Sequence, residues 1–145
     1  MSVLTFVREV NITAQPAITT SEDYFKEAGI GWMGGNFKAQ LLGLEVAAIG
    51  ETDLLTLWEL KVASVDDAII AELGDKAEVS VSQFTAFLAA NRENPRWFIA
   101  YILGRNGNPW AVLAHGLDQL RFWRVEAYSV DSPIEWNAGH HVISR

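Results

Sequence analysis

Arg96 to Val130 reads RWFIAYILGRNGNPWAVLAHGLDQLRFWRVEAYSV, an apolar, aromatic and β-branched run broken twice by turn residues. Such a run reads as three consecutive antiparallel strands, and the rest of the chain must supply the layers that cover them. Asn106-Gly107 in GRNGNP is the sharper break, because a type I′ turn needs φ > 0 at both central residues and Asn and Gly tolerate it best. Centred there, the turn pairs Leu103 with Trp110, Tyr101 with Val112 and Ile99 with Ala114, and sets Phe98 against His115. Trp97–Leu103 has no polar alternation, so it is expected to be covered on both faces. The second break is Gly116-Leu117-Asp118-Gln119. A two-residue loop at Leu117-Asp118 pairs His115 with Leu120 and Leu113 with Phe122.

Alternate residues of a strand share a face. Arg124, Glu126 and Tyr128 therefore form one row. His115 joins them in this register and leaves them if the loop slips by one residue.

The flanking segments are read from caps and periodicity. Val3 to Asn11 is expected to be a strand and Ile12 to Thr19 a loop. Thr20-Ser-Glu-Asp23 has capping-box spacing with Thr20 as N-cap, opening a helix from Ser21 to Ala28 that ends at Gly29. Phe37–Ala48 and Leu54–Ala63 read as a hairpin. Ser64-Val-Asp-Asp67 opens a helix with Val65, Ile69, Ile70 and Leu73 on one stripe, closed by Gly74. Ser80-Val-Ser-Gln83 opens another, with Phe84, Phe87 and Leu88 inward and a stop near Asn94-Pro95. The tail turns at Ser132-Pro133 and can add a strand at His140–Ile143. The order β-α-β-β-α-α-β-β-β, with room for one more strand, predicts a single α+β domain over residues 1–145. Its sheet is curved, mostly antiparallel, and packed on two or three short helices.

Composition narrows the function classes. The 145 residues include no cysteine, which excludes disulfides, thiolate metal sites and cysteine nucleophiles. The formal net charge of −7 disfavours nucleic acid and anionic membranes as partners. No apolar run approaches the ~18 residues of a membrane span, and MSVLTFVREV lacks a cationic leader. A cytoplasmic location is expected.

Gly29-Ile-Gly-Trp-Met-Gly34-Gly35 matches G-x-G-x-x-G literally. The dinucleotide fingerprint must follow a strand and open a helix. Here the glycines follow a helix and lead into strand-like sequence, so a flexible turn is expected, with Trp32 and Met33 packed on the body. The segment LWELKVAS carries Glu59 and Lys61 after Asp53 and Glu45. It resembles the E-x-K half-motif of the PD-(D/E)xK nucleases. That resemblance implies Mg²⁺ held by acids, here Glu45, Asp53 and Glu59, with Lys61 activating water or stabilising charge. The family's Pro-Asp pair is absent, and Glu45 has to stand in for it. His140 and His141 are adjacent on a strand, point to opposite faces and do not chelate one metal. No cofactor is expected.

The row of Arg124, Glu126 and Tyr128 is the main polar constellation, and six Trp are more than a core of this size needs. The expectation is a binding domain with an apolar, Trp-lined cavity or face. It would take a small hydrophobic or cationic molecule, or a protein partner, and form a homodimer. Trp110, Trp123, Arg124, Glu126 and Tyr128 are the candidate ligand contacts. A small enzyme using His115, Arg124 and Glu126 is the competing class. An inhibitor or immunity-type protein covering a basic target is a third.

Overall fold

The structure is a computed structural model, and it describes residues 2–91, 97–117, 122–131 and 134–145. The chain runs β1 (Leu4–Gln15), β2 (Ile18–Thr19), α1 (Glu22–Glu27), β3 (Ile30–Met33), α2 (Gly35–Leu41), β4 (Glu45–Val46) and β5 (Ile49–Leu60). It continues with β6 (Ser64–Val65), α3 (Asp66–Leu73), a 3₁₀ turn (Gly74–Lys76), α4 (Val81–Ala90), β7 (Trp97–Leu103), β8 (Pro109–Leu117), β9 (Phe122–Ser129), β10 (Glu135–Trp136) and β11 (His141–Ser144).

Seven strands form one sheet in the order β1-β5-β11-β7-β8-β9-β3. Within it β11 on β7 and β3 on β9 are parallel; the other neighbours are antiparallel. The fold is therefore α+β on a curved, mostly antiparallel sheet, as the order of elements predicts. The predicted tail strand exists, and it lies in the middle of the sheet between β5 and β7.

One face carries α1, α2 and α4. Phe25, Phe37, Phe84, Phe87 and Leu88 bury there against Phe98, Ala100, Val112, Ala114, Trp123 and Val125. Ring contacts run without a break from Phe25 through Phe37, Phe84 and Phe98 to Trp123, with centroids 5.0 to 6.3 Å apart. That spacing suits aromatic pairs packing edge to face or tilted. α4 begins with the expected capping box: Ser80 Oγ accepts from Gln83 N–H, and Gln83 Oε1 accepts from Ser80 N–H.

The other face is covered only in part. Ile69, Leu73, Ala77 and Trp136 pack on Leu60, Ile99, Tyr101, Ala111 and Val142. The outer strands β9 and β3 extend past this cover, which matters for the site.

Several local expectations are corrected. Residues 35–41 are helix, not strand: Phe37 and Leu41 are four apart and both fully buried, the spacing of one helical stripe. β5 accordingly pairs with β1 and β11, not with 37–48. The N-cap of α1 is Ser21, whose Oγ accepts from Tyr24 N–H. Thr20 instead donates to Leu41 O and accepts from Leu44 N–H, tying α1 to the end of α2. Ser64 caps nothing; its hydroxyl donates to Val62 O while β6 pairs with β10. β1 continues through Ile12 to Gln15, and a bulge between Phe6 and Arg8 reverses its faces. Leu4 and Val10 therefore enter different cores although both are even-numbered.

The first hairpin is displaced by one residue from the predicted register: Ile102 faces Trp110, Tyr101 faces Ala111, and Trp97 faces His115. The loop holds one residue more than a two-residue turn. Gly107 N–H donates to Gly104 O, Gly104 N–H donates to Asn108 O, and Gly107 sits at φ 78°. This is a three-residue hairpin loop that ends on a left-handed glycine, a common alternative to the two-residue turn. The second hairpin pairs Leu113 with Glu126, four positions beyond the predicted Phe122. An even displacement keeps every side chain on its predicted face, so His115 stays in the row. Residues 118–121 of that loop, the stop at Asn94-Pro95 and the turn at Ser132-Pro133 lie outside the described residues.

Candidate functional site

The two registers bring one line of side chains together across four strands. Trp97 on β7 pairs with His115 on β8, His115 with Arg124 on β9, and Arg124 with Trp32 on β3. The Trp97 and His115 rings stack, with centroids 3.6 Å apart and planes 27° apart. At the other end the Arg124 guanidinium carbon lies 4.5 Å from the centroid of the Trp32 ring, a cation–π contact. The next row is Ile99, Leu113 and Glu126, and the one after it Tyr101, Ala111 and Tyr128.

These rows wall a pocket of about 290 Å³ lined by Trp32, Trp97, Leu113, His115, Arg124, Glu126 and Tyr128. Trp32 and Trp97 are 41% and 43% exposed. Tyr128 Oη donates to Glu126 Oε2 at 2.5 Å, one side chain on from it along β9. This hydrogen bond, followed by partial burial and the Glu126 charge, pushes the Tyr128 hydroxyl up to about 12. Tyr128 thus stays a neutral donor at neutral pH and fixes one oxygen of the carboxylate.

Glycines let β3 come this close. A Cβ on Gly31, at the irregular step between Ile30 and Trp32, would lie 2.3 Å from the Phe122 ring. The glycines follow a helix, α1, as expected, which already sets them apart from the fingerprint, but the segment is the strand β3 and not a flexible turn. A helix does follow, but Gly31 lies inside a strand and Gly29 is the left-handed residue after α1. Gly31 and Gly34 allow the close approach of β3 to β9, whereas a Cβ on Gly35 would meet open space.

His115, Arg124, Glu126 and Tyr128, grouped from the sequence, all line this pocket. Trp110 and Trp123 do not. Trp123 is buried on the helical face, where its Nε1 donates to Leu88 O, and Trp110 packs on the same core. Trp32 and Trp97 take their place. Trp97 is legible once the hairpin loop is counted as three residues. Trp32 arrives by a parallel pairing about ninety positions distant in sequence, and nothing local announces it.

The three acids of the nuclease resemblance stay apart. Asp53 and Glu59 stand six residues apart on β5, roughly 20 Å along an extended strand. Asp53 accepts from Gln83 Nε2, Glu59 sits 3.6 Å from His141, and Glu45 lies on β4 beside β2. Among the described residues no group of three His, Asp or Glu is placed to hold a metal. His140 and His141 diverge as expected: His140 lies against Trp97 and Trp136, His141 near Glu59.

A second polar cluster escaped the sequence reading. Asp66 is 1% exposed, and its Oδ1 accepts from Tyr101 Oη and Trp136 Nε1, both at 2.7 Å. Its Oδ2 has no hydrogen-bond partner. Burial, the largest influence, pushes the carboxyl above its ordinary range. Trp136 in turn packs edge to face on Tyr128 at 5.8 Å, so this cluster supports the back of the pocket.

Among the described residues no helix is long and apolar enough to cross a membrane. Comparison with protein-family models, with curated proteins and with solved structures finds no match.

Proposed function

We propose that this chain is a cytoplasmic binding domain for a small molecule, seated in the pocket between Trp32 and Trp97. One arrangement carries the reading: two half-exposed indoles, an arginine, a histidine and a tyrosine-held carboxylate converge on a single hollow. Aromatic rings that meet a few fixed polar groups in one concavity are a usual feature of small-ligand sites. His115 is stacked on Trp97 and Glu126 is engaged by Tyr128, which favours holding a ligand over performing acid–base chemistry on it. The test is heteronuclear NMR of the tryptophan indole N–H groups against a fragment set with neutral, cationic and anionic members. Binders are expected to move Trp32 and Trp97 and leave buried Trp123 unmoved, and Trp97→Ala is expected to weaken them about tenfold or more. A set in which no compound moves either exposed indole ends the reading.

A second reading, a face for another copy of the chain, is favoured by one observation. Phe6 and Leu54 are 55% and 47% exposed at the β1–β5 end of the sheet, where Phe6 packs edge to face on Trp58. Native mass spectrometry gives the subunit number. A dimer that Phe6→Asp converts to monomer supports this reading, and a monomer at every concentration removes it.

A further inference from the structure

The class of ligand is set by two charges in the hollow between Trp32 and Trp97, an inference that rests on that hollow being a small-molecule site. Arg124 and Glu126 are two residues apart on β9, facing the same way with Cα atoms ~7 Å apart. The guanidinium lies on the face of Trp32, and no carboxylate of the described residues forms an ion pair with it. No guanidinium N–H of Arg124 is engaged in a hydrogen bond within the described residues, so its donors are available for a bidentate partner. Glu126 has one oxygen engaged by Tyr128, and its Oε1 makes no hydrogen bond within the described residues.

Opposite charges at this separation decide between ligand classes. A simple anion that reaches Arg124 meets Glu126, and a simple cation that reaches Glu126 meets Arg124. A molecule carrying both charges satisfies each group and repels neither. We infer that the pocket takes a small zwitterion of amino-acid or betaine type. Its carboxylate pairs with the Arg124 edge. Its ammonium lies against Glu126 and the ring of Tyr128, where carboxylate and cation–π attraction act together. The exposed part of Trp97, whose ring is stacked by His115 and met at an angle by His140, is left for the apolar part. The hollow of about 290 Å³ suits a molecule of that size.

The experiment titrates the protein with the common L-amino acids and glycine betaine, read at the Trp32 and Trp97 indole N–H signals. The tightest binder is then compared with its amine, which lacks the carboxylate, and its acid, which lacks the ammonium. The zwitterion is expected to bind about tenfold or more tighter than either. Arg124→Gln is expected to erase the advantage over the amine only, and Glu126→Gln the advantage over the acid only. An unmoved Trp123 signal reports that each variant is folded. An amine or acid that matches the zwitterion overturns the inference, as does a failure of every zwitterion to move the two indoles. If neutral or singly charged fragments still move them, the pocket reading survives that failure. If no fragment of any class does, both fall.

Discussion

Asp66 shows how much one buried carboxyl can decide. Two donors share its Oδ1 while Oδ2 has none, so ionisation strands charge in an apolar layer. Its proton is held more tightly in the folded chain than in the unfolded one. The sign follows: the stabilisation is complete below the ordinary carboxyl value of 3.8 and is lost as pH rises through the higher folded value. Asp66→Asn retains an oxygen for Tyr101 and Trp136 but has no proton to lose. Its buried amide adds a cost that does not vary with pH, so the slope is the informative quantity. Melting temperature relative to the parent is expected to climb between pH 3 and pH 7, by about 2–4 °C for each ~1 kcal/mol recovered. A pH-independent difference would show that the carboxyl holds its proton no more tightly in the folded chain than in the unfolded one. Nothing in the sequence separated this aspartate from Asp67 beside it. Burial depends on Tyr101 and Trp136, which come from strands 35 and 70 residues away.

At the scale of elements, periodicity was legible and register was not. The row of Arg124, Glu126 and Tyr128 depends only on the two-residue period of a strand, and it holds. The position of Trp97 depends on one extra residue in a hairpin loop, which GRNGNP does not reveal by composition. Phe37 and Leu41 have helical spacing, but the β-like sequence after them obscured it. β3 is the element on which the pocket depends most, being four residues long at the edge of the sheet. It holds Trp32 in place because Gly31 makes room for Phe122. Gly31→Val is therefore expected to lever β3 outward, with a cost of about 1–3 kcal/mol from overpacking. Urea unfolding measures that cost. The Trp32 indole signal should move while that of Trp123 holds, because Trp123 is anchored to Leu88 on the helical face. Unchanged stability and an unmoved Trp32 would mean that Phe122 swings aside without cost.

For the whole molecule, the informative strand is the last one. β1 with β5, and β7 with β8 and β9, are each joined by antiparallel ladders of their own. β11 is the strand that lies between these two halves of the sheet, antiparallel to β5 and parallel to β7. Its Val142 and Ile143 are fully buried and belong to different cores, so one four-residue strand connects both hydrophobic layers. Arg145 fastens its end: the backbone N–H donates to Lys76 O, and the guanidinium donates to Glu78 O and Asp75 O. The sequence hinted at a terminal strand but could not give its central place, because a parallel contact between His141 and Phe98 leaves no local trace. Ile143→Ala is expected to cost about 2–5 kcal/mol, the usual range for truncating a buried isoleucine. Removal of His141–Arg145 should do more, because it takes away both the filling of two cores and the hydrogen bonds between the halves. The expected result is a chain with no cooperative urea transition and a collapsed spread of amide NMR signals. If the shortened chain keeps a sharp transition, the two halves must close on each other directly. The central place of β11 would then be a late addition to an already stable sheet.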